Sequence, residues 1–256
     1  MESMKKRVYV ALSHHHVIKE WFRYRGCGVH LLSFDFHTDF REAFISNAGD
    51  PSANYAYSRE RHNLYLNKHI PCENVEAAIS DLKNDEHIDF AIRSGMIRRA
   101  FVFSHNDWNR DGVLVVPSRK KQIVPPRRGI VSYSEAGHPM INPPYEDSQM
   151  AKMAKLVTGD EVLADVLKTF CECGFDQTNY ILDFDCDFIR DKDAMTHGHF
   201  QILKTLIKGA RAITIAREHG CVFGCSGGTL SYDVIEEWFK DLIQNCVGGV
   251  EIECED

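Results

Sequence analysis

Two short runs constrain this chain more than anything else in it: Ser33-Phe34-Asp35-Phe36-His37-Thr38-Asp39 and Leu182-Asp183-Phe184-Asp185-Cys186-Asp187. Each sets acidic or imidazole groups at every second position, directly after an apolar, strand-like stretch. In an extended backbone successive side chains alternate between faces, so Asp35, His37 and Asp39 share one side, as do Asp183, Asp185 and Asp187. Carboxylates crowded at the mouth of a buried sheet are costly unless cations neutralise them. The runs therefore predict two strands that end in a divalent-metal site, with room for two ions.

The rest of the chain supplies a sheet to carry such a site. Val8–Leu12, His30–Asp35, Ala100–Ser104, Tyr180–Asp185 and Ala212–Ala216 read as short buried strands. Val113–Val116 and Gln122–Val124 are candidate additional strands, and Pro125–Tyr145 reads as a long loop or lid. Helical patterns fall at Val17–Arg25, Val75–Leu82, Ile88–Met96, Asp160–Glu172, His199–Ala210 and Thr229–Gln244. The stretch Arg41–Asn63 is polar and irregular. Strands separated by helices at this spacing imply a three-layer α/β fold with a mainly parallel central sheet covered on both faces. In such sheets functional groups gather beyond the carboxyl ends of strands. His14, both acidic runs, Ser104–Asp107 and Arg217-Glu218 all lie just past a predicted strand end.

At 256 residues, with no repeat or evident boundary, residues 1–256 are expected to form one domain. A formal charge of -7 gives no footprint for nucleic acid or an anionic membrane. No apolar stretch approaches the roughly 20 residues of a membrane span. Nine cysteines without a paired Cys-x-x-Cys signature suit free thiols in a reducing compartment, so a cytoplasmic protein is expected. The runs leave the oligomeric state open, a homo-oligomer included.

The residues at these strand ends resemble the ureohydrolase superfamily of arginases and agmatinases. That family's Asp-x-His-x-Asp motif matches Asp35, His37 and Asp39, its Asp-x-Asp motif matches Asp183 and Asp185, and its early histidine matches the Ser13-His14-His15-His16 run. The resemblance implies an arginase-like fold and two Mn²⁺ ions. One would be held by His14, Asp35, Asp39 and Asp183, the other by Asp35, His37, Asp183 and Asp185, with Asp35 and Asp183 bridging. His14 is preferred to His16 as first ligand, leaving His16 and Asp187 as outer groups. The chain departs from the family where Ala11-Leu12-Ser13 replaces Gly-Gly-Asp and where Asp187-Phe188-Ile189 replaces Asp-Pro.

This divergent form looks similar to the peptide arginases, which convert arginine side chains of ribosomally made precursor peptides to ornithine with release of urea. An arginine-containing peptide is the substrate the resemblance implies. His105 and His138 are candidate proton carriers for the leaving amine, and Glu218, then Asp107, are candidates to hold the guanidinium. Two alternatives stay open on the residues alone. One is a metal-dependent amidohydrolase acting on free guanidino compounds, or a deacetylase-like zinc enzyme; the other is a non-catalytic metal-binding protein.

Overall fold

The structure is a computed structural model that describes residues 5–37, 39, 41–49, 58–104, 130–132, 157–196 and 198–255. Its centre is a seven-stranded sheet: β1 Lys6–Ala11, β2 His30–Asp35, β3 Arg99–Ser104, β4 Ile130–Ser132, β5 Tyr180–Asp185, β6 Ala212–Ala216 and β7 Val250–Cys254, in the order β4-β3-β2-β5-β6-β1-β7. All pairings are parallel except that of β4 on the edge, which runs antiparallel to β3. This is the expected α/β architecture, with a mainly parallel sheet between helices.

Strands β2, β5 and β6 are buried throughout, as continuous apolar runs covered on both faces must be. One face carries Leu32, Phe34, Phe101, Phe103, Leu182, Phe184, Ile213 and Ile215, packed against the helices Asp160–Glu172, Gln201–Gly209 and Tyr232–Cys246. Phe184 stacks on Phe239 of the last helix with ring centroids 4.1 Å apart. The other face carries Tyr9, Leu31, Val102, Ile181 and Ala216, and receives Trp21 from the helix Ile18–Trp21 and Ile88, Phe90 and Ala91 from the helix His87–Arg93.

Most predicted strands appear with their expected bounds. Several elements are additional, among them the edge strand β4, which lies within the stretch Pro125–Tyr145 expected as a loop, and the short helix Asp193–Thr196. The helix Arg59–His69 lies in the stretch that reads as irregular, because it is polar on nearly every side. The helix His219–Cys225 and the edge strand β7 are too short to declare themselves. Val113–Val116, Gln122–Val124 and most of Pro125–Tyr145 lie outside the described residues.

Candidate metal centre

The sheet register sets the site in two rows. In the inner row Ser33 on β2, Asp183 on β5 and Thr214 on β6 are direct cross-strand partners. Both hydroxyls donate to the carboxylate between them: Ser33 Oγ to Asp183 Oδ2 at 2.7 Å and Thr214 Oγ1 to Asp183 Oδ1 at 2.6 Å. Trp21 Nε1 in turn donates to Thr214 Oγ1 at 3.2 Å. Two residues on, at the strand ends, stand Asp35 and Asp185, both wholly buried. Asp187 follows in the 3₁₀ turn Cys186–Phe188, its backbone N–H donating to Asp185 Oδ1 at 3.1 Å.

His14 links the rows. It lies in the 3₁₀ turn His14–Val17 that follows β1, completely buried. Its Nε2–H donates to Asp183 Oδ2 at 2.8 Å. That bond fixes the ring, and Nδ1 then faces Asp39 Oδ2 at 2.9 Å, Asp185 Oδ2 at 3.1 Å and Asp35 Oδ2 at 3.6 Å. A histidine whose far nitrogen donates to a carboxylate while the near one meets a ring of acids has the arrangement of a metal ligand with its orienting partner.

A second group of donors lies beside the first. His37 Nδ1 is 2.9 Å from Asp187 Oδ2 and 3.8 Å from Asp35 Oδ1. Asp35 thus turns one oxygen towards each group, as a bridging ligand would. Cys225 Sγ completes a set with His37 and Asp187 whose donor atoms lie within 4.8 Å of one another.

Electrostatics agree with this geometry. Burial drives the Asp35 carboxyl well above its usual range, and Asp39 and Asp187 push the same way. Asp185 is raised by burial and by Asp187 beside it. Burial alone would lower His14, but Asp183 and Asp185 outweigh it and hold the imidazole pKa well above normal. At His37 burial is likewise overcome by Asp187, and its pKa rises to about 8. Protons therefore occupy this cluster where cations would compete for the same atoms. Among the described residues, His14 Nδ1, Asp35 Oδ2 and Asp187 Oδ2 are buried with no aligned hydrogen bond. Such orphaned donors, converging from β1, β2 and β5, fit divalent ions.

The expected ligands are brought together: His14, Asp35, His37, Asp39 and Asp185 line the two groups. Asp183, expected as a bridge, has both oxygens engaged by Ser33, Thr214 and His14, and sits where it orients His14. Asp187, expected as an outer group, points directly at His37. His16 turns away to Glu255, its Nδ1 2.7 Å from Oε2. Glu218 lies beside the centre, but Asn84 Nδ2 donates to both its oxygens at 3.0 and 3.2 Å, and the His14 backbone N–H donates to Oε1. It fastens the His14 turn to the loop carrying Asn84. His105, Asp107 and His138 lie outside the described residues.

Sequence reasoning missed Ser33, Thr214, Asn84 and His87. The two hydroxyls left a faint signal, as polar residues inside otherwise apolar strands. His87 left none, being a lone histidine at the start of a helix. Its Nδ1–H donates to the Asn84 carbonyl at 2.6 Å, and its ring lies 4.4 Å, centroid to centroid, from that of His14. Comparison of the chain with family models, with curated proteins and with solved structures gives no match.

Proposed function

We propose that this chain is a binuclear metal hydrolase of the arginase kind, cleaving the guanidinium of arginine side chains in a peptide to leave ornithine and release urea. The observation that carries the reading is the convergence of His14, Asp35, Asp39 and Asp185 on one point and of Asp35, His37 and Asp187 on a second, at the carboxyl ends of parallel strands. Mainly carboxylate donors with two imidazoles suit Mn²⁺ better than thiolate-seeking metals. When bound, such a pair of ions supplies a water ionised near neutral pH for attack on an otherwise unreactive guanidinium carbon.

The chain's own residues hold and orient. Asp183 fixes the His14 tautomer, with its proton on Nε2 and Nδ1 free for coordination. Glu218 and Asn84 keep the His14 turn in place from behind. His37, 22% exposed and the most open of the proposed imidazole and carboxylate ligands, borders the side from which a substrate would enter. An extended peptide carrying arginine reaches such a site by its side chain alone, which needs no grip on a free α-amino or α-carboxylate group.

The test is metal analysis of the purified protein together with urea and ornithine assays on arginine-containing peptides and on free arginine. Two Mn²⁺ per chain with urea released from peptides is the expected outcome. Stoichiometric metal without urea from any arginine compound would make the protein a binding module and overturn the reading.

A further inference from the structure

We propose that Cys225 is a thiolate ligand of the second ion, the one between His37 and Asp187, and that it makes the two metal positions chemically unequal. The inference rests on the metal reading above and adds a sulfur donor from outside both acidic runs. Cys225 closes the short helix His219–Cys225, which packs against the 3₁₀ turn Cys186–Phe188 carrying Asp187. Its Sγ and donor atoms of His37 and Asp187 all lie within 4.8 Å of one another. Among the described residues no other cysteine joins such a set. Cys221, one helical turn earlier, instead directs its Sγ to Glu218 Oε2 at 3.8 Å.

The three donors are held from outside. Asp187 is wholly buried: Oδ1 accepts from the Phe36 backbone N–H at 3.1 Å, and Oδ2 faces His37 Nδ1 at 2.9 Å with no aligned hydrogen bond. Arg190 ties the other two together. Its Nε donates to the Cys225 carbonyl at 3.0 Å, and its guanidinium lies over the ring of Phe36, the neighbour of His37, at 4.8 Å from the centroid. The helix end bearing Cys225 and the segment bearing His37 are thus fixed by contacts that leave sulfur, imidazole and carboxylate turned to one another.

Charge and donor chemistry agree. Asp35, Asp39, Asp185 and Asp187 balance two dications, and the one negative charge that a thiolate adds is offset by Arg190 beside it. Without an ion, burial and then Asp187 push the Cys225 thiol up to about 12, so a metal displaces its proton to solvent on binding. Imidazole, carboxylate and thiolate together form a donor set for Zn²⁺ or Co²⁺, whereas the position at His14 offers one imidazole among carboxylates. Mn²⁺ enters both, but sulfur widens the advantage of the softer ions at the second position alone.

Titration of the reduced, metal-free protein with Co²⁺, followed by absorption, tests this. Two Co²⁺ per chain are expected, one of them bringing the near-ultraviolet charge-transfer band of a Co²⁺-bound thiolate. Losing a direct ligand costs at least as much affinity as losing an orienting partner, about tenfold. Cys225→Ser, folded by circular dichroism, is therefore expected to lose the band and to bind one Co²⁺ more than about tenfold more weakly, with the other unchanged. Two Co²⁺ bound to wild type without the band, or a band that persists in folded Cys225→Ser, would overturn the inference and leave the metal reading standing. If Cys225→Ser does not fold, alkylation of the wild type mapped by peptide mass spectrometry decides: Co²⁺ is expected to shield Cys225, and an unchanged rate overturns the inference. A wild type that binds no divalent ion would overturn the metal reading, and this inference with it.

Discussion

Asp183 and Asp187 divide the work of the second acidic run by depth. The inner carboxylate accepts from Ser33, Thr214 and His14, while the outer one accepts from the Phe36 backbone N–H at 3.1 Å and turns its other oxygen to His37 at 2.9 Å. Asp187→Asn is therefore expected to cost one equivalent of bound metal. Asp183→Asn should keep both ions but weaken the one held by His14 by about 10–100-fold, because it removes an orienting partner. Metal analysis and calorimetric titration separate these outcomes; loss of more than one equivalent in Asp183→Asn would mean that Asp183 itself bridges. Asp35→Ala, which removes an oxygen from each group, should lower metal content by more than one equivalent and abolish activity. Asp39 and Glu218 both adopt left-handed backbone, at φ 43° and 37°, a conformation that costs a non-glycine residue of order 1–3 kcal/mol. At Glu218 this strain is held by the bonds from Asn84 and from the His14 backbone.

The segment around the helix His87–Arg93 supports the site as an element. Just before it, the buried Glu86 carboxylate accepts from the backbone N–H groups of Phe44 at 3.1 Å, Ser46 at 2.8 Å and Lys83 at 3.2 Å. Asp89 accepts from the Ala43 N–H at 2.9 Å and from Arg93 Nε at 2.6 Å. Together they pin the loop that follows Asp39 against the helix bearing His87. Glu86→Ala leaves those N–H groups without an acceptor and is expected to lower stability by about 1–3 kcal/mol in denaturant unfolding and to weaken Mn²⁺ binding with it. Ser58→Ala provides the contrast. Ser58 caps the helix Arg59–His69 by accepting from Arg61 N at 3.2 Å, and its loss should cost about 1 kcal/mol with no change in metal affinity. The helix that Ser58 caps is not legible in the sequence. Arg59-Glu60-Arg61-His62-Asn63 offers no apolar stripe, and Leu64 remains exposed.

Over the whole molecule, the buried acids and imidazoles make stability depend on pH. His37 has a pKa raised to about 8 in the folded state against 6.5 for the free side chain. A raised histidine contributes stability that is complete below pH 6.5 and lost as pH rises through 8; for this shift the amount is about 2 kcal/mol at most. His14, raised for the same reason, acts in the same direction. Asp35 and Asp185 add to it, since their raised carboxyls oppose folding once they must ionise. His15, lowered to about 4 chiefly by burial, acts oppositely, but only below pH 6.5. The metal-free protein should thus unfold at lower denaturant concentration at pH 8 than at pH 6.5. Saturating Mn²⁺ should remove that dependence and add about 2.7 kcal/mol at a hundred times its dissociation constant. Equal midpoints at the two pH values without metal would contradict this account. No described helix is long and apolar enough to cross a membrane.

The sequence alone determined the α/β architecture and where on it the acidic cluster would form. Apolar runs as dense as His30–Asp35 and Tyr180–Asp185 can only be buried parallel strands, and acids at alternate positions must leave such strands on one face. Tertiary structure decided which acids face His14 and His37. Period-two alternation puts Asp183, Asp185 and Asp187 on the same side but says nothing of depth. The pairing of Ser33 and Thr214 with Asp183 supplies hydroxyl donors to the innermost acid, while the outer two face the imidazoles of His14 and His37. His87 and Asn84 were beyond reach, and Glu218 was placed at its strand end but not in its contact with the His14 turn, since hydrogen bonds spanning up to 204 residues leave no local pattern to read.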